Sequence, residues 1–224
     1  LMLGGAGDRN ADTARTLEIL GELELPTLIL AGGRDLWPHW LAALGSLDSQ
    51  GRDRVIDITT LARVRLGARV FLPLAGAAEG RYAIGADACG FGEPDLQERI
   101  SMLGPAKDEK RWLVSWEIPG GGDERSPART SGGVDVGSDL LADFSRKTGI
   151  RGGLYGWPHL QVSRPRGPEG RLVFDEPLPD LGLAVPRIAG PAMERDDGSR
   201  QMPGFSTVVF SASGAAVVSP WEGG

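Results

Sequence analysis

Four segments place polar side chains directly after short apolar, β-prone runs: Gly7-Asp8, Gly32-Gly-Arg-Asp35, Ser115-Trp-Glu-Ile-Pro119 and Gly156-Trp-Pro-His159. In open α/β sheets ligands bind at the carboxyl ends of the strands. Asp8, Asp35 and His159 are oxygen and nitrogen donors, and a divalent cation held between separate strand ends needs such donors aimed at one point. Arg34 carries a guanidinium suited to bidentate contact with phosphate or carboxylate. It is equally able to pair with Asp8 or Asp35, and that pairing is the preferred reading because buried charges need partners. His39 reads as an ordinary residue at a helix start, since nothing near it has metal-ligand spacing. For His159 a hydrogen-bonded strand end stands beside a residual metal or anion contact.

The elements that position these groups are legible from periodicity. Thr27–Ala31 is a short buried strand ending in two glycines, a cation and an acid, and the rest of the chain is arranged around it. Leu1–Leu3 precedes it as a strand, and a helix from Asn10 or Asp12 to about Leu23 links the two. Ala14, Leu17, Leu20 and Leu23 form its apolar stripe. This βαβ unit implies a parallel pair. A second helix is predicted from Pro38 to Leu47, and a third over Pro94–Met102. Val55–Thr59, Leu61–Leu66, Arg69–Leu72, Arg81–Ile84 and Trp112–Ser115 read as strands. Gly120–Gly133 is a loop by composition. Ser138 caps a helix over Asp139–Lys147 that Gly149 closes, and Gly152–Tyr155 leads to the last polar strand end. Ser206–Phe210 and Ala215–Val218 make a terminal hairpin.

Bulk properties narrow the function. The 224 residues are 41% apolar, enough for a full core, and no linker-like break divides them, so one domain over 1–224 is expected. A net charge of −6 argues against nucleic acid, which needs clustered Lys and Arg. The single cysteine, Cys89, excludes an internal disulfide and a Cys-based zinc cage, and reads as a small buried hydrophobe. No run approaches the ~20 apolar residues of a membrane helix. Because Leu1 already lies in a strand, a first strand is expected upstream; a signal peptide or lipid anchor there is left open, and no compartment follows.

The order and spacing of the four strand ends resemble the calcineurin-like metallophosphoesterase family. Its members show Gly-Asp, then Gly-Asn-His-Asp/Glu, His-x-Pro-Pro and Gly-His-x-His at successive strand ends. The resemblance covers most of the chain. It implies a four-layer α-β-β-α sandwich of two mixed sheets. In the family two metals clamp the attacking and leaving oxygens of a phosphoryl displacement and activate water. Carried over position by position, Asp8 matches the bridging acid and His159 the last imidazole. Gly33 stands for the Asn ligand, Arg34 for the His that meets phosphate, and Asp35 for the acid that orients that His. Trp116 and Trp157 replace ligand imidazoles, and their rings would fill the space of metals and water. Gly190–Arg200 falls where the family has a loop near the site entrance.

The resemblance therefore implies a degenerate member with no expected cofactor. It would be a binding or structural module with vestigial Asp8, Arg34, Asp35 and His159, for which a protein partner is preferred over a small molecule. The alternative is an active phosphoesterase whose Mn, Fe or Zn dimetal centre is completed by an upstream Asp-x-His. An α/β-hydrolase needs a Gly-x-Ser-x-Gly elbow before its triad acid, and that reading fails unless a large upstream portion carries one. Gly5-x-Gly7 lacks the third glycine of a dinucleotide loop, because Asn10 holds that position.

Overall fold

The computed structural model describes residues 1–7, 10–79, 85–106, 109–120, 128 and 134–156. It also describes the backbone of 177–178, 193–194, 200–201, 204–210 and 215–222, with the Phe210 ring. In chain order the elements are β1 (Met2–Leu3), α1 (Asn10–Glu22), β2 (Thr27–Leu30), α2 (Trp37–Ser46), α3 (Ser49–Arg54), β3 (Val55–Asp57), β4 (Val64–Leu66), β5 (Arg69–Leu74), β6 (Ala77–Ala78), β7 (Gly90–Phe91), α4 (Glu93–Leu103), β8 (Lys110–Ser115), α5 (Asp139–Thr148) and β9 (Ile150–Tyr155). The short strands β10 (Pro177–Leu178), β11 (Met193–Glu194) and β12 (Arg200–Gln201) follow, then β13 (Gly204–Phe210) and β14 (Ala215–Glu222).

The chain is mixed α/β with several sheets. β1, β2 and β3 form a parallel sheet in the order β1-β2-β3, so the predicted βαβ pairing is present. The second large sheet has the order β4-β5-β8-β9; β5, β8 and β9 run parallel, and β4 pairs antiparallel with β5. β13 and β14 form the terminal hairpin, with β10 on its β14 side. The expected strand Arg81–Ile84 lies outside the described residues, as does most of 120–133.

Three apolar clusters show what each face covers. Leu17 of α1, and Trp40 and Ala43 of α2, pack with Ile29, Ala31 and Val55 of the first sheet. Leu30 and Ile58 meet Phe71, Trp112, Val114 and Leu154 between the two sheets, where the Phe210 ring stands edge-on to Phe71 and Trp112. Leu96 of α4, with Leu141 and Phe144 of α5, covers Leu74, Leu113 and Tyr155 on the far face of the second sheet.

Two helical details differ from the periodic expectation. In α1 the buried residues are Thr13, Leu17 and Gly21, four apart, while Leu23 lies beyond the helix and is 46% exposed. With 3.6 residues per turn, four-residue steps drift less around the axis than three-residue steps, so they hold one face better. Gly21 permits close approach to α3, because a Cβ there would lie 2.9 Å from Gly51 Cα. Helix α3 itself carries no periodic signal in six residues. It begins where the Asp48 carboxylate accepts the Gly51 N–H at 2.7 Å.

The end of α5 behaves as its sequence predicts. Ser138 Oγ accepts the Leu141 N–H, and Gly149 adopts φ +67°.

Arg111, on β8 and 1% exposed, ties together the helix ends behind the second sheet. Its guanidinium donates to the carbonyls of Leu103, Gly104 and Pro105 at the end of α4, to Thr148 at the end of α5, and to Glu109. A cation is favoured where helix carbonyls point outward. Arg111→Met keeps the volume but leaves those carbonyls and the Glu109 carboxylate short of donors. The expected loss is about 3 kcal/mol by urea unfolding, and a loss below about 1 kcal/mol would show that the clamp carries little.

A candidate site at the converging strand ends

The carboxyl ends of the parallel strands meet at one edge. Gly4 N–H donates to Leu30 O at 2.7 Å, and Gly76 N–H to Ala31 O at 2.9 Å. An isolated bridge joins Gly32 to Gly76, so the exit of β2 touches the exit of β5. Gly156, just after β9, donates to Ser115 O at 3.0 Å, and a Cβ on it would collide with Leu3. The two sheets are thus closed on each other at the edge where the sequence places its polar groups.

The Trp116 indole fills that edge. It is 1% exposed and lies against three glycines on two other strand ends. A Cβ on Gly4 would meet its Cδ1 and Nε1; one on Gly32 would stand 2.7 Å from Cγ; one on Gly33 would stand 2.8 Å from Cζ3 and 2.5 Å from Ala77 Cβ. Gly4 also has φ +72°, which L side chains rarely adopt. The glycines are therefore spaces occupied by an indole.

Asp35 is buried, at 1% exposure, in a cage of main-chain donors. Its Oδ2 accepts Gly32 N–H at 2.7 Å and Gly5 N–H at 3.0 Å, and its Oδ1 accepts Ala6 N–H at 2.9 Å. One carboxylate so joins the loop after β1 to the loop after β2. Burial pushes its pKa up, against the downward pull of the amides of Gly32, Gly5, Ala6 and Gly7. Arg34 lies between Gly33 and Asp35 and is half-buried. The bonds to the Asp35 carboxylate given above come from the main chain.

Glu117, next to Trp116, is fully buried and accepts the Ala78 N–H at 2.6 Å. It lies within the polar strand end Ser115–Pro119, two residues beyond β8, and a glutamate so close to an apolar strand is the sequence signal for it. Cys89 is half-buried, and its N–H donates to Asp35 O at 3.0 Å. Burial, with the charges of Asp35 and Asp57, pushes its thiol up to about 11. His39 is half-buried in the first turn of α2. Asp8, Trp157 and His159 lie outside the described residues.

Among the described residues no group of three or more His, Cys, Asp or Glu side chains could hold a metal ion. The local chemistry agrees: Gly33 has no donor atom, both Asp35 oxygens are engaged by amides, and an indole N–H donates rather than ligates.

The fold and this edge together define a mixed α/β protein whose strand ends converge on a buried indole. No family model matches the chain, and no curated protein matches it. Among solved structures it is similar to TT1561 of Thermus thermophilus, at 15% identity with a TM-score of 0.56, over 97% of this chain and 84% of that one. A second crystal structure is similar at 12% identity with a TM-score of 0.52, over 66% of this chain; the likeness spans 58% of that chain's length. At such identity the likeness is one of fold.

Proposed function

We propose that the chain is a metallophosphoesterase-like domain whose dimetal site has been replaced by packed side chains, and that it serves as a binding or structural module. The observation that carries this reading is the seat of Trp116 on Gly4, Gly32 and Gly33. The resemblance puts an Asn ligand at Gly33 and a ligand imidazole at Trp116. A carboxamide at position 33 would begin with a Cβ 2.5 Å from Ala77 Cβ and 2.8 Å from the indole. The residues described at this edge do not fit a pair of divalent cations. The packing of α1 and α2, then the two sheets, then α4 and α5 supports the four-layer α-β-β-α arrangement that the resemblance implies.

The test is elemental analysis of the purified protein together with turnover of p-nitrophenyl phosphate mono- and diesters in added Mn, Fe or Zn. We expect substoichiometric metal and no turnover above the protein-free rate. Two metal ions per chain, with hydrolysis abolished by Asp8→Ala, would establish the active phosphoesterase instead.

A further inference from the structure

A cavity of about 660 Å³ opens beside the Trp116 edge, with none of its described lining residues drawn from Gly4, Gly32, Gly33, Trp116 or Glu117. That volume lies in the range of small-molecule sites. Its apolar lining includes Trp37, Leu74, Phe91 and Met102. Its charged lining, among the described residues, is three carboxylates, Asp87, Asp95 and Glu98, against one guanidinium, Arg99.

The three acids and Met102 are exposed, while Leu74 and Phe91 are buried, so the charge sits towards solvent and only the deeper part of the lining is wholly apolar. Arg99 offsets the acids in part, since Asp95 and Glu98 act on its charge. Its Nη1 donates to Pro73 O at 2.8 Å and to Leu61 O at 3.3 Å, which pins the guanidinium to the wall, and the described lining keeps an acidic excess of three carboxylates over one cation. The opposite wall is fixed by Trp37 N–H on Asp87 O at 2.8 Å and by Cys89 N–H on Asp35 O at 3.0 Å. A preformed apolar space with an acidic mouth favours a ligand with an apolar body and a positive charge, and an indole in the lining adds to that preference.

We infer that this cavity binds a small organic cation, an aryl- or alkylammonium, with the carboxylates of Asp87, Asp95 and Glu98 selecting its charge. The inference is independent of the phosphoesterase reading, since it uses none of the residues around Trp116.

Cys89 lines the cavity and is the chain's one cysteine, so its modification reports on the space. The experiment compares a trimethylammonium-bearing and a sulfonate-bearing methanethiosulfonate on the full chain at low ionic strength, each normalised to its rate with a free thiol in solution. Both reagents attack the same sulfur, so its raised pKa cancels from the ratio. We expect the cationic reagent to react about fivefold or more faster. The double variant Asp87→Asn with Glu98→Gln, which spares the Asp95 carboxylate that accepts the Gly92 N–H, should bring the ratio towards one. Phenethylammonium should slow labelling saturably, and phenylacetate, of matched size, should not. A ratio at or below one in the unaltered chain overturns the inference. So does a ratio unmoved by the double variant, or equal protection by phenylacetate and phenethylammonium.

Discussion

Gly32→Ala should destabilise the protein by about 3 kcal/mol, and the same change in a Trp116→Ala background should cost less than about 1 kcal/mol. The added methyl would stand 2.7 Å from Cγ and 2.8 Å from Nε1 of Trp116, and all three of its nearest contacts are atoms of that indole. Removing the ring removes the collision. Trp116→Ala alone should cost about 3–5 kcal/mol, the range for deleting a large buried aromatic. The measurement is a double-mutant cycle by urea unfolding, and its reading is the coupling between the two positions. Equal costs for Gly32→Ala in both backgrounds would mean that the indole does not occupy the strand edge. Gly33→Ala is a poorer probe, because its methyl would also meet Ala77.

Asp35→Ala should cost about 3 kcal/mol, since it strands the buried amides of Ala6 and Gly32 and removes the partner of the part-buried Gly5 amide. Asp35→Asn should cost roughly half as much, because the carboxamide oxygen still accepts while its NH2 faces donors. The pH dependence has a definite sign. The folded pKa is raised, so the native state holds its proton more tightly than the unfolded chain. The associated stability is full below the ordinary carboxyl pKa and is lost as pH rises through the folded value. The Asn variant lacks that loss, so the gap between it and the unaltered protein should narrow as pH rises. Equal unfolding free energies for Asp35→Ala and the unaltered protein would show that the two loops are held by other contacts.

The two experiments separate two tasks that the same short stretch performs. Gly32 and Gly33 make room for a ring delivered by β8, whereas Asp35 ties the first two strand ends together. Among the described residues, both oxygens of Asp35 accept from main-chain amides, as does one oxygen of Glu117.

Much of the fold was legible because it rests on local rules. Thr27–Leu30 forms the strand expected from a short β-branched run closed by glycines. The α5 helix begins at its Ser cap and ends at its glycine. The hairpin of β13 and β14 follows two apolar runs and a turn. Sequence reasoning failed where burial depends on partners distant in sequence. Leu23 belongs to the expected α1 stripe, yet it is 46% exposed, because the faces that cover α1 are set by where the sheet, α2 and α3 lie. The ligand-type residues were legible as types only, since a carboxylate at a strand end reads the same whether it meets a metal or a set of amides.

The sequence by itself determined the alternation of strands and helices, the polar character of the strand ends and the absence of metal-ligating side-chain atoms at Gly33 and Trp116, because these follow from residue type and short-range periodicity. Only the tertiary structure decided that Trp116 lies on glycines from two other strand ends, and that Asp35 is consumed by the amides of Gly5, Ala6 and Gly32. Apart from the local bond between Gly32 and Asp35, those contacts join residues from about thirty to more than a hundred positions apart, and they arise from the parallel strands bringing their carboxyl ends to one edge.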